Sequence, residues 1–161
     1  MFKFFKIFSL SALILVAACS DKKEAEKSVA ANEVVIVAAD SGDVRNTFQI
    51  DVADTQEKMY HGLMGRTSID ENYGLLFDIK MAPKDAEIAF WMKNTLIPLD
   101  FIFVDDNGII YHLYKNAQPN DLTTIRAPKR PRAVLEVNGG DVDKYGIQIG
   151  DEFKADILGN K

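Results

Sequence analysis

From Val34 to Leu158 the apolar residues come in short runs, each ended by a turn signal, and this constrains the fold more than any other feature. Runs of five or six residues suit strands, and they are too short for packed helices. The plainest pair is Asp100–Val104 and Ile109–Tyr114, joined by Asp105-Asp106-Asn107-Gly108. Asn-Gly tolerates the positive φ angles of turns whose twist matches paired strands, so this stretch is read as a β-hairpin. Val34–Ala38 is continuously apolar, and Phe48, Ile50 and Val52 alternate with Gln49 and Asp51. Further strands are expected at Gly74–Ile79, Glu87–Met92, Ala133–Val137 and Glu152–Leu158. Only Asp54–Leu63 changes period. Asp54 with Glu57 three residues later resembles a capping box, and Met59, Leu63 and Tyr60 would form the inner stripe of a short helix ending near Gly65. The expectation is a mainly β (α+β) fold: a single compact barrel-like or sandwich domain of about eight short strands with one or two short helices, over residues 34–161.

What precedes the domain is of another kind. Residues 1–18 place Lys3 and Lys6 before the apolar run Ile7–Ala18, the pattern of a secretory signal peptide and too short to span a bilayer. Val16-Ala17-Ala18-Cys19 resembles the lipobox of bacterial lipoproteins, in which the cysteine is lipidated and becomes the new amino terminus. Multiple acyl chains anchor a protein stably where a single chain does not. Cys19 is the only cysteine, so no disulfide is expected. By the same resemblance Ser20, rather than aspartate, after Cys19 favours the periplasmic face of the outer membrane. Residues 19–33 are then the lipidated cysteine and a charged, flexible tether. The net charge of −5 falls to −7 once the two leader lysines are removed, which argues against nucleic acid as a partner.

Ala89–Val104 stands apart. It holds the only tryptophan and sets Lys93, Asn94, Thr95 and Asp100 among apolar neighbours. A polar group buried and unpaired costs about 1–3 kcal/mol, so these side chains must face water or find partners. Pro98 lacks an N–H, which makes residues 93–98 a loop between strands and a plausible binding edge.

Gly62-Leu63-Met64 with Arg66, Gly74-Leu75-Leu76-Phe77, Phe90-Trp91-Met92-Lys93-Asn94-Thr95, Pro98-Leu99-Asp100-Phe101-Ile102-Phe103, and Val134-Leu135-Glu136-Val137 with Gly139-Gly140 together resemble one family. It is the bacterial and archaeal domain-of-unknown-function family 192, also called uncharacterised protein family 0127. The resemblance covers roughly Phe48–Leu158 and implies a small β-rich, barrel-like domain, often exported or lipid-anchored, with no established activity. Gly65 and Leu75 stand where the family usually has an aromatic residue and a methionine.

Function is read from the same residues. There is no G-x-S-x-G elbow, phosphate loop or dinucleotide fingerprint, and His61 and His112 lack metal-site spacing; no cofactor or metal is expected. Arg66 is either a clamp for a ligand carboxylate or phosphate, or a structural ion pair with Asp100 or Glu136. Trp91 is either a stacking platform or the main core aromatic, and Asn94 either a ligand contact or a turn-fixing amide. The basic loop residues Arg126, Lys129, Arg130 and Arg132 form a solvated loop or touch anionic lipid. The leading expectation is a non-catalytic, lipid-anchored envelope module that binds a small molecule, glycan or protein partner through Arg66, Trp91, Lys93, Asn94, Thr95 and Asp100. The alternative is a hydrolase or lyase acting on envelope carbohydrate through the carboxylates of Asp100 and Glu136.

Overall fold

The computed structural model describes residues 31–159; the leader, Cys19 and most of the tether lie outside them. Seven strands form one sheet in the order β5-β4-β6-β3-β2-β1-β7. They are β1 (Glu33–Val37), β2 (Val44–Ala53), β3 (Tyr73–Asp78), β4 (Leu99–Val104), β5 (Ile110–Ala117), β6 (Ala133–Asn138) and β7 (Glu152–Lys154). Two short helices, α1 (Gln56–His61) and α2 (Asp141–Lys144), accompany them. The two edges of the sheet meet at one end, where Ile109 bridges Glu152 and the Ile110 N–H donates to the Asp151 carbonyl. The sheet is therefore curled into a half-barrel.

Most neighbours are antiparallel, but β2 and β3 run parallel, with Gln49 opposite Tyr73 and Ala53 opposite Phe77. Parallel strands need a crossover, and this one carries α1 across one face of the sheet. Thr55, rather than Asp54, caps the helix by accepting from the Lys58 N–H, while Asp54 pairs with Lys58 at 2.7 Å. The helix ends at Gly62, whose φ of 49° few other residues tolerate.

Two expectations change. Glu87–Met92 is not a strand; it is a loop held by a single bridge from Phe90 to Ile125. Its apolar residues face an adjoining sheet surface rather than a strand partner. The Glu152–Leu158 segment is a three-residue strand followed by a short 3-10 turn at Asp156–Leu158. In the β4–β5 turn Gly108 takes positive φ, at 76°, and the strand register shifts between Phe103 and Val104.

The core has two parts, one on each face of the sheet. Inside the curl, Ile36, Phe48, Leu76, Ile102, Leu135 and Phe153 pack with Val142 and Ile147 from the α2 region. On the outer face, Leu75, Phe77, Phe101, Phe103 and Val134 are covered by Leu63, Met92 and Ile97 from the crossover and loops. Strands β3, β4 and β6 are thus buried on both sides, which is why they read as near-continuous apolar runs. A polar residue inside them is largely shielded from bulk water. Two such residues exist, Asp100 in β4 and Glu136 in β6.

Candidate functional site

Asp100 is fully buried and fully explained. Its Oδ1 accepts the Asn116 N–H at 2.6 Å, and its Oδ2 accepts the N–H groups of Gly140 and Val142 at 3.0 and 2.8 Å. One carboxylate thereby ties the end of β5 to the start of α2. It points into the curl, because Asp100 is opposite Val137 in the register and Phe101 is opposite Glu136. Successive strand residues face opposite sides of a sheet, so Asp100 and Glu136 are divided by the sheet itself. They do not form the carboxylate pair that a glycosidase-type site requires, and Asp100 is not at the binding edge.

Glu136 is on the outer face between Leu75 of β3 and Phe101 of β4. It is 5% exposed, and its Oε2 has no hydrogen-bond partner among the described residues. Burial without compensation pushes this carboxyl up to about 8, so the acid is neutral below that pH. Above it opens a cavity of about 470 Å³, walled on one side by α1 and its exit and on the other by residues 79–91. The lining combines apolar Met59, Leu63, Met64, Ile79, Ala82 and Ile88 and the rings of Tyr60, Phe77, Phe90 and Trp91 with the polar Gln56, His61, Glu87 and Thr95; Glu136 is among them. Gly62 roofs the acid. A side chain there would start 3.5 Å from the Phe77 ring and 3.9 Å from Glu136 Oε2.

Both walls are held from outside. The Gly65 N–H donates to the Asn94 carbonyl at 2.8 Å, pinning the helix exit to the loop. Arg130 reaches across to the 79–86 segment and donates to the carbonyls of Ala86 at 2.6 Å and Pro83 at 3.0 Å. The other basic residues of that loop are also engaged: Arg126 pairs with Glu87, Lys129 with Asp105, and Arg132 with Asp78. They are an internal clamp rather than a free cationic face. Arg130→Ala should therefore raise amide exchange and proteolytic cutting selectively over residues 79–90. A loss of about 1–2 kcal/mol of local protection is expected from the bonds removed. Uniform exchange changes over the whole sheet would contradict it.

The sequence-derived site residues separate. Trp91 and Thr95 line the cavity. Trp91 is 44% exposed at its rim, so it is not the core aromatic; the buried neighbour is Met92. Lys93 stands over the Trp91 ring with Nζ 5.4 Å from the centroid. Asn94 fixes a turn at φ 55°. Arg66 is exposed and makes no ion pair among the described residues, so it does not bind Asp100 or Glu136; it borders a second, polar groove with Asp51, Lys58, His61 and Tyr73. Missed by sequence reasoning were Met59, Tyr60, Phe77, Phe90 and Arg130, which come together only through the crossover. Besides Trp91 and Thr95, Glu136 signalled itself, as a charge within an apolar strand.

A family model described as Uncharacterized ACR, the DUF192 family, matches residues 36–155. The chain belongs to this family. The DUF192 domain is also similar to solved structures. One is a protein of unknown function from Novosphingobium aromaticivorans, 34% identical, covering 76% of this chain and 83% of that one, with a TM-score of 0.68. Another is a candidate transcription regulator from Sinorhizobium meliloti, 31% identical, covering 80% of this chain and 96% of that one, with a TM-score of 0.69. No curated protein matches the chain.

Proposed function

We propose that this DUF192 protein is a non-catalytic binding module of the bacterial envelope, held to the membrane by lipid on Cys19, that takes up a small molecule in the cavity above Glu136. The observation that carries this reading is the unpartnered Oε2 of a buried acid in a cavity lined largely by apolar and aromatic side chains. An orphaned buried acceptor costs stability, and a bound polar group is what would offset it. The cavity lies within the size range of small-molecule sites, and its aromatic and apolar lining with a few polar groups is their usual chemistry. A glycan, with hydroxyls on every side, suits this lining less well than a molecule with an apolar body and a single polar end.

The test is a ligand screen on the purified protein, read by thermal shift and by amide chemical shifts. Compounds with a compact apolar body should raise the melting temperature and perturb the amides of residues 59–64 and 86–91. Perturbations confined to other surfaces, or none, would remove the cavity from consideration. The anchor has its own test. Radiolabelled palmitate should be incorporated by the wild-type protein in a bacterial host, and lost with membrane association in Cys19→Ser; a Cys19→Ser protein that still fractionates with lipid label would end that part of the proposal.

A further inference from the structure

The charge of the cavity wall narrows the ligand class. Its lining includes two carboxyl side chains, Glu136 and Glu87, and neither a lysine nor an arginine. Glu87 is already paired with Arg126 at 2.8 Å, which leaves Glu136 as the free acidic group. A carboxylate or phosphate ligand would find no lysine or arginine in the lining to hold it. Four aromatic rings and the thioethers of Met59 and Met64 make up much of the remaining surface. Aromatic faces attract cations through their quadrupoles, and a desolvated site strengthens that attraction. The rim already shows the pairing, since the Lys93 ammonium stands over Trp91.

We infer that the ligand is a small organic ammonium compound, its apolar body enclosed by the rings of Tyr60, Phe77, Phe90 and Trp91 and its cationic nitrogen directed at Glu136. This rests on the reading of the cavity as a small-molecule site and names its chemistry. Loading such a cation into the neutral cavity sheds the Glu136 proton to solvent and leaves an ammonium–carboxylate pair. The charged and titratable groups around the acid are few. His61 comes from α1, Tyr73 from β3, Arg66 from the loop after α1, Glu87 from the opposite wall, and Lys93 stands at the rim over Trp91, while β4 presents the apolar Phe101. Tyr73 is itself tied to Asp51 at 2.9 Å and stays neutral, its hydroxyl pushed up to about 12 by burial and that bond.

The experiment compares matched pairs, cyclohexylamine with cyclohexanol and benzylamine with benzyl alcohol, by amide chemical-shift titration of the full chain. At pH 8 each amine should bind at least about tenfold more tightly than its alcohol, as a charge-assisted contact predicts. Calorimetry at pH 6.5 in two buffers of different ionisation enthalpy should show about one proton released per amine bound, by linkage to the acid. Glu136→Gln should fold, bind amine and alcohol alike, and release no proton. Trp91→Ala should weaken the amines more than the alcohols. Alcohols that bind as tightly as amines would overturn the ammonium assignment while leaving the cavity as a small-molecule site. Proton release that persists in Glu136→Gln would overturn it as well. No perturbation of residues 59–64 or 86–91 by any of the four compounds would overturn both.

Discussion

Glu136→Leu should make the protein more stable, by a margin that grows with pH. The wild-type acid is buried beside Leu75, Phe77 and Phe101 with an unpartnered oxygen, and leucine fills similar space without that demand. The folded-state carboxyl sits at about 8, well above its unfolded value. Below about pH 4.5 both states hold the proton, so the titration contributes nothing. Between there and pH 8 the unfolded chain releases its proton while the folded protein keeps it, which favours unfolding by about 1.4 kcal/mol for each pH unit. Above pH 8 both states are ionised and the difference levels off. Urea unfolding from pH 5 to 9 should show the leucine variant pulling ahead of wild type over this window, by several kcal/mol in order of magnitude at the plateau. Glu136→Gln should remove the pH dependence yet remain about 1–3 kcal/mol below the leucine variant, because its amide is still buried and unpaired. A pH-independent gap, or a leucine variant weaker than wild type at pH 8, would mean the acid is solvated in the native state. A stabilised variant that has lost its ligand is the signature of a group retained for function at a cost in stability.

Asp100→Ala is the opposite case and the most damaging single change expected. It strands three backbone donors, on Asn116, Gly140 and Val142, that converge on one buried carboxylate. A loss of about 3–5 kcal/mol is expected, which a marginally stable domain of this size barely survives. Asp100→Asn keeps one acceptor oxygen and should lose roughly half as much. Thermal unfolding gives the totals. Amide exchange at Gly140 and Val142 shows whether the damage begins at α2, as the bond pattern requires. The asparagine variant should still bind cavity ligands, since the sheet separates Asp100 from them. Loss of binding in a folded Asp100→Asn protein would put that carboxylate back in the site, against the strand register.

These two carboxylates show where sequence reading stops. Both are single acids in otherwise apolar segments, and on that evidence they could be partners in chemistry. The β4–β6 register decides otherwise, setting Phe101 rather than Asp100 opposite Glu136. Register parity is a property of the paired strands, and a one-residue shift would have put the acids on one face. Trp91 and Met92 make the same point at closer range. A tryptophan in an apolar run has the composition of a core residue, but the run is a loop lying along the sheet, so Met92 turns inward and Trp91 remains at the rim.

Elements with strong local signals were legible from residue order: the β4–β5 hairpin with its Gly108 turn, the alternating β2, the apolar β3 and β6, and the short helix after β2. The sequence's ordered set of motifs was also enough to recognise the family. These are local properties, carried by side-chain period, turn chemistry and neighbouring residues. Tertiary structure alone decided which polar groups are satisfied, that Arg130 braces the wall, and that α1 and residues 79–91 face each other across Glu136. The physical reason is that a cavity and an unpartnered atom are defined by contacts between segments far apart in the chain, and no local preference encodes what will lie opposite.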